Sequence, residues 1–255
     1  MTKQHLQGRH AVVTGGGTGI GLAIAQSLAA EGAKVTITGR RAAPLQEAAA
    51  QTPGLHPQTM DVTDEASVTD GIAAAVDAHG PVRICVANAG IAEGRKMHKT
   101  DAELWRRIMS INLDGCFYTI RESLRSMLET DWGRVIAVSS IAGLRGAPGA
   151  GAYAASKHGV IGMMRSFAED FIGEPYTFNS ICPGYVDTPI VSRNTDVIAA
   201  RTGASAEEAR DIMIQQNRHK KLITPEEVAA AALWLCNPLS ESTNGTEVRI
   251  AGGQV

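Results

Sequence analysis

The segment Tyr153-Ala154-Ala155-Ser156-Lys157 carries the residue types and spacing that most directly imply chemistry in this chain. Residues four apart on a helix share a face, so Lys157 lies beside Tyr153, one turn along. A free phenol titrates near pH 10 and is a poor base near neutrality. A neighbouring ammonium stabilises the phenolate and lowers its pKa, which turns the pair into an acid–base device. A Tyr-x-x-x-Lys spacing alone is common, but here other polar groups accompany it. Ser140 follows the apolar run Arg134–Ser139, and Asn88-Ala89-Gly90 closes the run Val82–Ala87. Asn112 lies in Ile111-Asn112-Leu113-Asp114-Gly115, and Pro183-Gly184-Tyr185-Val186-Asp187-Thr188 follows the run Thr177–Cys182.

A second constellation stands near the amino terminus. The apolar run His10–Thr14 passes into Gly15-Gly16-Gly17-Thr18-Gly19-Ile20-Gly21 and then into a helical pattern. Glycines between a strand and a helix let backbone N–H groups approach a pyrophosphate, and the helix terminus adds partial positive charge. Thr14, Gly15, Gly17, Thr18, Gly19, Ile20 and Gly21 are therefore candidate cofactor contacts. An NAD-preferring site usually places an acid after the second strand, for the ribose 2′-hydroxyl. This chain has Gly39-Arg40-Arg41 there. Two guanidiniums suit a 2′-phosphate, so NADP is favoured over NAD. The alternative is that both arginines are solvated charges at a helix start.

These groups need a scaffold, and the pattern supplies one. Short β-rich runs at His10–Thr14, Lys34–Thr38, His56–Met60, Val82–Ala87, Arg134–Ser139, Thr177–Cys182 and Glu247–Ile250 alternate with helical runs. The helices are expected at Gly19–Glu31, Ala42–Ala50, Ala66–His79, about 101–128, Tyr153–Phe171 and after Thr224. Capping boxes are expected at Thr100–Glu103, Ser205–Glu208 and Thr224–Glu227. Strand–helix alternation implies right-handed crossovers and a mostly parallel seven-stranded sheet covered on both faces, a doubly wound α/β (Rossmann) fold. Residues 1–255 read as one domain, with an insertion over 183–224 at the carboxyl end of a strand, where such segments usually serve a site. All the candidate groups except helix-borne Asn112 map to that edge of the sheet.

Composition excludes other classes. Lys plus Arg number 24 and Asp plus Glu 26, for a formal net charge of −2. That balance argues against nucleic-acid or membrane-surface binding. The longest apolar run, Val228–Cys236, is far short of the roughly 20 residues that span a bilayer. Cys85, Cys116, Cys182 and Cys236 are scattered and read as buried small residues, and no metal spacing is present. The amino terminus lacks a signal-peptide h-region, so a cytoplasmic protein is expected.

On these motifs the chain resembles the short-chain dehydrogenase/reductase family, in its compact branch, over essentially its whole length. The resemblance implies that Thr14, Gly15, Gly19, Ile20 and Gly21 form the pyrophosphate loop, that Asp61 and Val62 contact adenine, and that Asn88, Ala89 and Gly90 lie beside the adenosine ribose. It implies a catalytic tetrad of Asn112, Ser140, Tyr153 and Lys157, with Thr188 on the nicotinamide carboxamide and Pro183, Gly184 and Val186 beside it. Tyr153 and Lys157 are expected to touch the cofactor as well. The implied reaction interconverts a secondary alcohol and a ketone with NADP or NAD. Ser140 holds the substrate oxygen, Tyr153 transfers the proton, Lys157 holds the ribose hydroxyls, and Asn112 anchors a proton-relaying water. The overall look of the C-terminal third is similar to 3-oxoacyl thioester reductases and 3-hydroxyacyl-CoA dehydrogenases; a small or cyclic secondary alcohol or polyol is the alternative substrate. A catalytically silent cofactor sensor is the alternative of another class, but such relatives usually lose the tyrosine or lysine. One departure is Ala87, where the family usually has a first asparagine. The family's subunit contacts imply a homotetramer through the helices bearing Asn112 and Tyr153.

The remaining polar residues are weaker signals. Trp105, Trp132 and Trp234 read as packing residues. Arg193, Arg201, Arg210, Arg218, His219, Lys220 and Lys221 form a cationic cluster suited to phosphates of coenzyme A or an acyl-carrier arm, or else a solvated surface. Ile141, Leu144, Ala147, Pro148, Tyr185 and Ile190 predict an apolar substrate flank, with Arg145 and Lys96 available to an anionic substrate group.

Overall fold

Strand β1 (His10–Thr14) is buried at every residue, as befits a strand with a neighbour on each side and helices over both faces. In the computed structural model, which describes residues 4–188 and 205–254, it lies between β2 (Lys34–Gly39) and β4 (Val82–Ala87). The other strands are β3 (Leu55–Thr59), β5 (Gly133–Val138), β6 (Tyr176–Pro183) and β7 (Glu247–Ile250). Their order is β3-β2-β1-β4-β5-β6-β7, and every pairing is parallel. The sheet is therefore wholly rather than mostly parallel. The winding reverses between β1 and β4, which opens a crevice at the carboxyl ends of those strands.

Two apolar layers hold the helices on. On one face α1 (Gly19–Ala30), α2 (Ala42–Gln51) and α8 (Pro225–Leu235) bury Ile24, Leu28, Leu45, Val228 and Ala232 against Val13, Ile37 and Ile84. On the other, α3 (Glu65–His79), α5 (Gly115–Met127) and α6 (Gly151–Asp170) bury Ile72, Ile120 and Val160 against Val12, Cys85 and Val135. Helix α4 (Ala102–Met109) precedes α5, and α7 (Ala206–Gln216) precedes α8. The expected capping boxes form at Ser205 on α7 and Thr224 on α8.

Three expectations are corrected. The box at Thr100 does not form, because Asp101 is the cap and its carboxylate accepts from the Leu104 N–H at 2.8 Å. The helix expected from about 101 to 128 is interrupted by a π turn, Ser110–Asp114, between α4 and α5. Such widened turns occur frequently at functional sites, and this one carries Asn112. The tryptophans are not uniformly packing residues either. Trp105 is 37% and Trp234 50% exposed, whereas Trp132 stacks beneath Arg9 and Arg134.

Candidate functional site

The β1–α1 loop is shaped by contacts that leave no room for side chains. A Cβ on Gly16 would stand 2.8 Å from Ile37, and one on Gly21 2.5 Å from Asn88 Nδ2. Gly15 and Gly19 also have φ of 65° and 57°, a region L-residues disfavour. Thr18 caps α1 without a side-chain bond, so the first-turn N–H groups are not taken by a side-chain oxygen. Asn88, at the exit of β4, ties the loop down. Its Nδ2 donates to the Thr14 carbonyl at 2.9 Å, while the Thr14 hydroxyl accepts from the N–H groups of Asn88 and Ala89. The departure at Ala87 leaves the sheet intact, because Ala87 pairs with Ala137 and is buried.

Arg40 and Arg41 follow β2 and are exposed, and neither enters an ion pair among the described residues. Asp61 follows β3, where its Oδ1 accepts from the Thr63 N–H and hydroxyl, and buried Val62 packs where a side chain on Gly115 would stand. A tight Gly-rich cradle, uncapped first-turn N–H groups and two unpaired guanidiniums fit a dinucleotide, with the arginines placed for extra negative charge on its ribose.

The acid–base residues gather beyond β5. Ser140 caps a short turn by accepting from the Ala142 N–H at 3.1 Å, and its hydroxyl is hydrogen-bonded to the Tyr153 phenol. Lys157 is 4% exposed, and its Nζ donates to the Val138 carbonyl at 2.8 Å. That nitrogen stands 5.9 Å from the centre of the Tyr153 ring. Burial is the largest influence on both groups. It pushes the Lys157 ammonium down to about 8 and raises the Tyr153 phenol above its ordinary value, with the Ser140 bond opposing. The sequence argument had Lys157 lowering the phenol. Burial sets the direction here, and the ammonium is bonded to the Val138 carbonyl.

Asn112 is 1% exposed. Its Oδ1 accepts from the Ile91 N–H at 2.9 Å, and its Nδ2 donates to the Ile91 carbonyl at 3.0 Å and to Ser156 Oγ at 3.1 Å. The side-chain amide is thus spent on the protein itself. Gly90 lets these groups close together, since a Cβ there would lie 3.2 Å from Asn112 Oδ1 and 3.5 Å from Lys157 Nζ.

Pro183 ends β6, and Gly184, Val186 and Thr188 follow it along the crevice. Val186 bridges to Ile223, and the Thr188 hydroxyl donates to the Val186 carbonyl at 3.3 Å. Asn217 clamps this segment. Its Oδ1 accepts from the Tyr185 N–H, and its Nδ2 donates to the carbonyls of Tyr185 and Lys221. Arg210 pairs with Asp187 at 2.8 Å, while Arg218, Lys220 and Lys221 are exposed. Ile190, Arg193 and Arg201 lie outside the described residues.

Sequence reasoning missed four contributors: Ser139, whose hydroxyl donates to the Lys157 carbonyl at 3.1 Å, the Ile91 main chain, the Asn217 clamp and Ser156. Only Ser156 carried a signal, as a small polar residue inside the Tyr-Lys spacing.

The profile of a family described as short chain dehydrogenase matches residues 9–198. A D-beta-hydroxybutyrate dehydrogenase of Rhizobium meliloti (strain 1021) is 36% identical, over 95% of this chain and 97% of its own. The 3-oxoacyl-acyl-carrier-protein reductase MabA of Mycobacterium tuberculosis (strain ATCC 25618 / H37Rv) is 34% identical, over 96% and 92%. A crystal structure of an actinorhodin polyketide ketoreductase variant with NADPH superposes with a TM-score of 0.93 at 30% identity, covering 100% of this chain and 99% of that one.

Proposed function

The chain belongs to the short-chain dehydrogenase family and is an oxidoreductase of secondary alcohols and ketones, and from that premise we propose that it is an NADP(H)-dependent reductase of 3-oxoacyl thioesters. The observation that carries the cofactor choice is the pair of exposed, unpaired guanidiniums of Arg40 and Arg41 after β2. Thr14–Gly21 would hold the pyrophosphate, Asp61, Val62 and Asn88–Gly90 the adenosine, and Pro183, Gly184, Val186 and Thr188 the nicotinamide end. When bound, the nicotinamide supplies the hydride that reduces the carbonyl carbon.

The chain's own residues handle the oxygen and the proton. The Ser140 hydroxyl bonds the substrate carbonyl and fixes it against Tyr153. The Tyr153 phenol, kept neutral by burial, donates its proton as negative charge develops on that oxygen. Lys157, its Nζ anchored on the Val138 carbonyl, would hold the ribose hydroxyls, and the phenol is reprotonated from solvent. Asn112 holds the turn that flanks Lys157, and any water it positions is held by main-chain groups, since its amide is already engaged. The thioester reading is supported by the apolar run Ile141, Ala142 and Leu144 that follows Ser140, by Arg145, which acts electrostatically on Tyr185, and by the exposed cations Arg218, Lys220 and Lys221 that flank the Asn217 clamp in sequence. These suit an acyl chain and the phosphates of its carrier. Residues 1–255 act in this reading as one domain with an insertion at 183–224, in the cytoplasm, as a homotetramer through α5 and α6. Among the described residues no helix is long and apolar enough to cross a membrane.

The test is oxidation of NADPH and NADH, side by side, with acetoacetyl-CoA and with uncharged and cyclic ketones. Faster turnover with NADPH and the thioester is expected, a raised KM for NADPH on Arg40→Ala plus Arg41→Ala, and loss of turnover with retained NADPH binding on Tyr153→Phe. NADH preference would refute the arginine argument, turnover confined to simple ketones the thioester argument, and an active Tyr153→Phe the mechanism.

A further inference from the structure

Inside the Tyr153–Lys157 turn lies a residue that faces neither the crevice nor solvent. Ser156 is wholly buried, at 0% exposure. Its hydroxyl donates to the Tyr153 carbonyl at 2.7 Å and accepts from Asn112 Nδ2 at 3.1 Å. A carbonyl oxygen can only accept, so the single hydroxyl proton is committed to Tyr153 and the oxygen's lone pairs are left to Asn112. The same logic fixes the Asn112 amide. Its oxygen must face the Ile91 N–H, and its two N–H groups must face the Ile91 carbonyl and Ser156.

We infer that Ser156 is a positioning residue, coupling the π turn that carries Asn112 to the first turn of the helix that carries Tyr153 and Lys157. The bridge spans three segments: the exit of β4 at Ile91, the turn Ser110–Asp114 and the start of α6. It lies beside the lysine, since Asn112 Oδ1 and Lys157 Nζ both come within 3.5 Å of the point where a Gly90 side chain would begin. A π turn is a rare, single-turn departure from regular helix that frequently falls at functional sites. Ser156 provides the tie to the catalytic helix. Without its hydroxyl one Asn112 N–H is left unpaired in a buried site, and the amide is held by the Ile91 main chain alone. Ser156 acts through Asn112 and Tyr153, and touches no reacting atom.

This inference rests on the proposed roles of Tyr153 and Asn112, and a double-mutant cycle separates the two claims. Ser156→Ala, Asn112→Ala and the double variant are assayed for kcat, KM, NADPH affinity and thermal midpoint, with Tyr153→Phe alongside. Ser156→Ala is expected to lower kcat about 10- to 100-fold with NADPH affinity within about twofold of the parent. In the Asn112→Ala background the same change is expected to cost less than about twofold, since the bond it removes is already gone. A merely structural role would instead lower the thermal midpoint in both backgrounds and leave kcat intact, and that result overturns the inference. Asn112→Asp removes this bond, together with the one to the Ile91 carbonyl, with Ser156 in place. A carboxylate has no N–H to offer, so kcat should fall to the Asn112→Ala level, and wild-type turnover in this variant also overturns the inference. An inactive Tyr153→Phe beside a fully active Ser156→Ala sinks this inference alone; an active Tyr153→Phe sinks the reading beneath it.

Discussion

Acid should unfold this protein through its amino-terminal sheet edge, far from the crevice, with His10 as the main lever. His10 is 2% exposed at the start of β1. Its Nδ1 lies 2.7 Å from the Gly80 carbonyl and its Nε2 2.9 Å from the Thr36 hydroxyl. Because the carbonyl can only accept, Nδ1 carries the proton and Nε2 accepts from Thr36, so the neutral ring is fully satisfied. Burial pushes its pKa from 6.5 down to about 4, and His79, His56 and Lys34 add repulsion while the Gly80 bond opposes. The His79 ring lies 5.4 Å from His10 and 4.0 Å from His56, and burial lowers both of those imidazoles as well. The unfolded imidazole takes its proton near pH 6.5, and the folded one refuses it until about pH 4. Stability is therefore present above pH 6.5 and lost as the pH falls towards 4. For His10 alone, the linkage relation gives a loss of about 2 kcal/mol by pH 5 and about 3 kcal/mol in all. Urea unfolding followed by tryptophan fluorescence at pH 7 and pH 5 measures it, on wild type and on His10→Gln, which cannot titrate. The variant is expected to lose about 2 kcal/mol less across that interval. Equal losses, within about 0.5 kcal/mol, would show that the linkage argument is wrong.

Two further substitutions probe opposite ends of the sheet. Gly21→Ala drives a Cβ to 2.5 Å from Asn88 Nδ2, so the loop must shift; NADPH affinity by fluorescence titration should fall at least about tenfold, and an unchanged Kd would refute the cradle. Arg134 is 2% exposed with Nε and Nη2 unpartnered, so Arg134→Met should be neutral or stabilising by about 1 kcal/mol, and a loss above about 3 kcal/mol in urea unfolding would refute that.

The alternation of β-rich and Ala-rich runs made the sheet legible, because helix and strand periods differ and burial on both faces demands continuous apolar strands. Strand limits fall within a residue or two of those expected, as at β1 and β4. The site was legible where chemistry needs fixed spacing along one element, as with Tyr153 and Lys157, or a backbone without side chains, as from Gly15 to Gly21. It was not legible where the determining contact crosses elements. Nothing near Thr100 marks Asp101 as the better cap, since both side chains suit the role and geometry decides. Likewise the π turn has no local pattern. It follows from bonds between Asn112, Ile91 and Ser156, residues far apart in sequence. The perturbation of Tyr153 escaped for the same reason, because burial is a property of the assembled crevice.

That perturbation bears on how the site divides its labour. Two opposite charges on adjacent helical turns suggest a phenolate–ammonium pair, yet burial disfavours the charged form of each partner, moving Tyr153 up and Lys157 down. Desolvation thus favours a neutral phenol, which is the form reduction requires and oxidation does not. The Ser140 bond works the other way, so the serine moderates the acidity of the phenol beside it. Lys157 anchors to the Val138 carbonyl, which keeps its nitrogen at the strand edge rather than on the phenol. The carbonyls of Lys157 and Tyr153 are held in turn by Ser139 and Ser156, so the hydroxyls that tie down α6 fix where both side chains start.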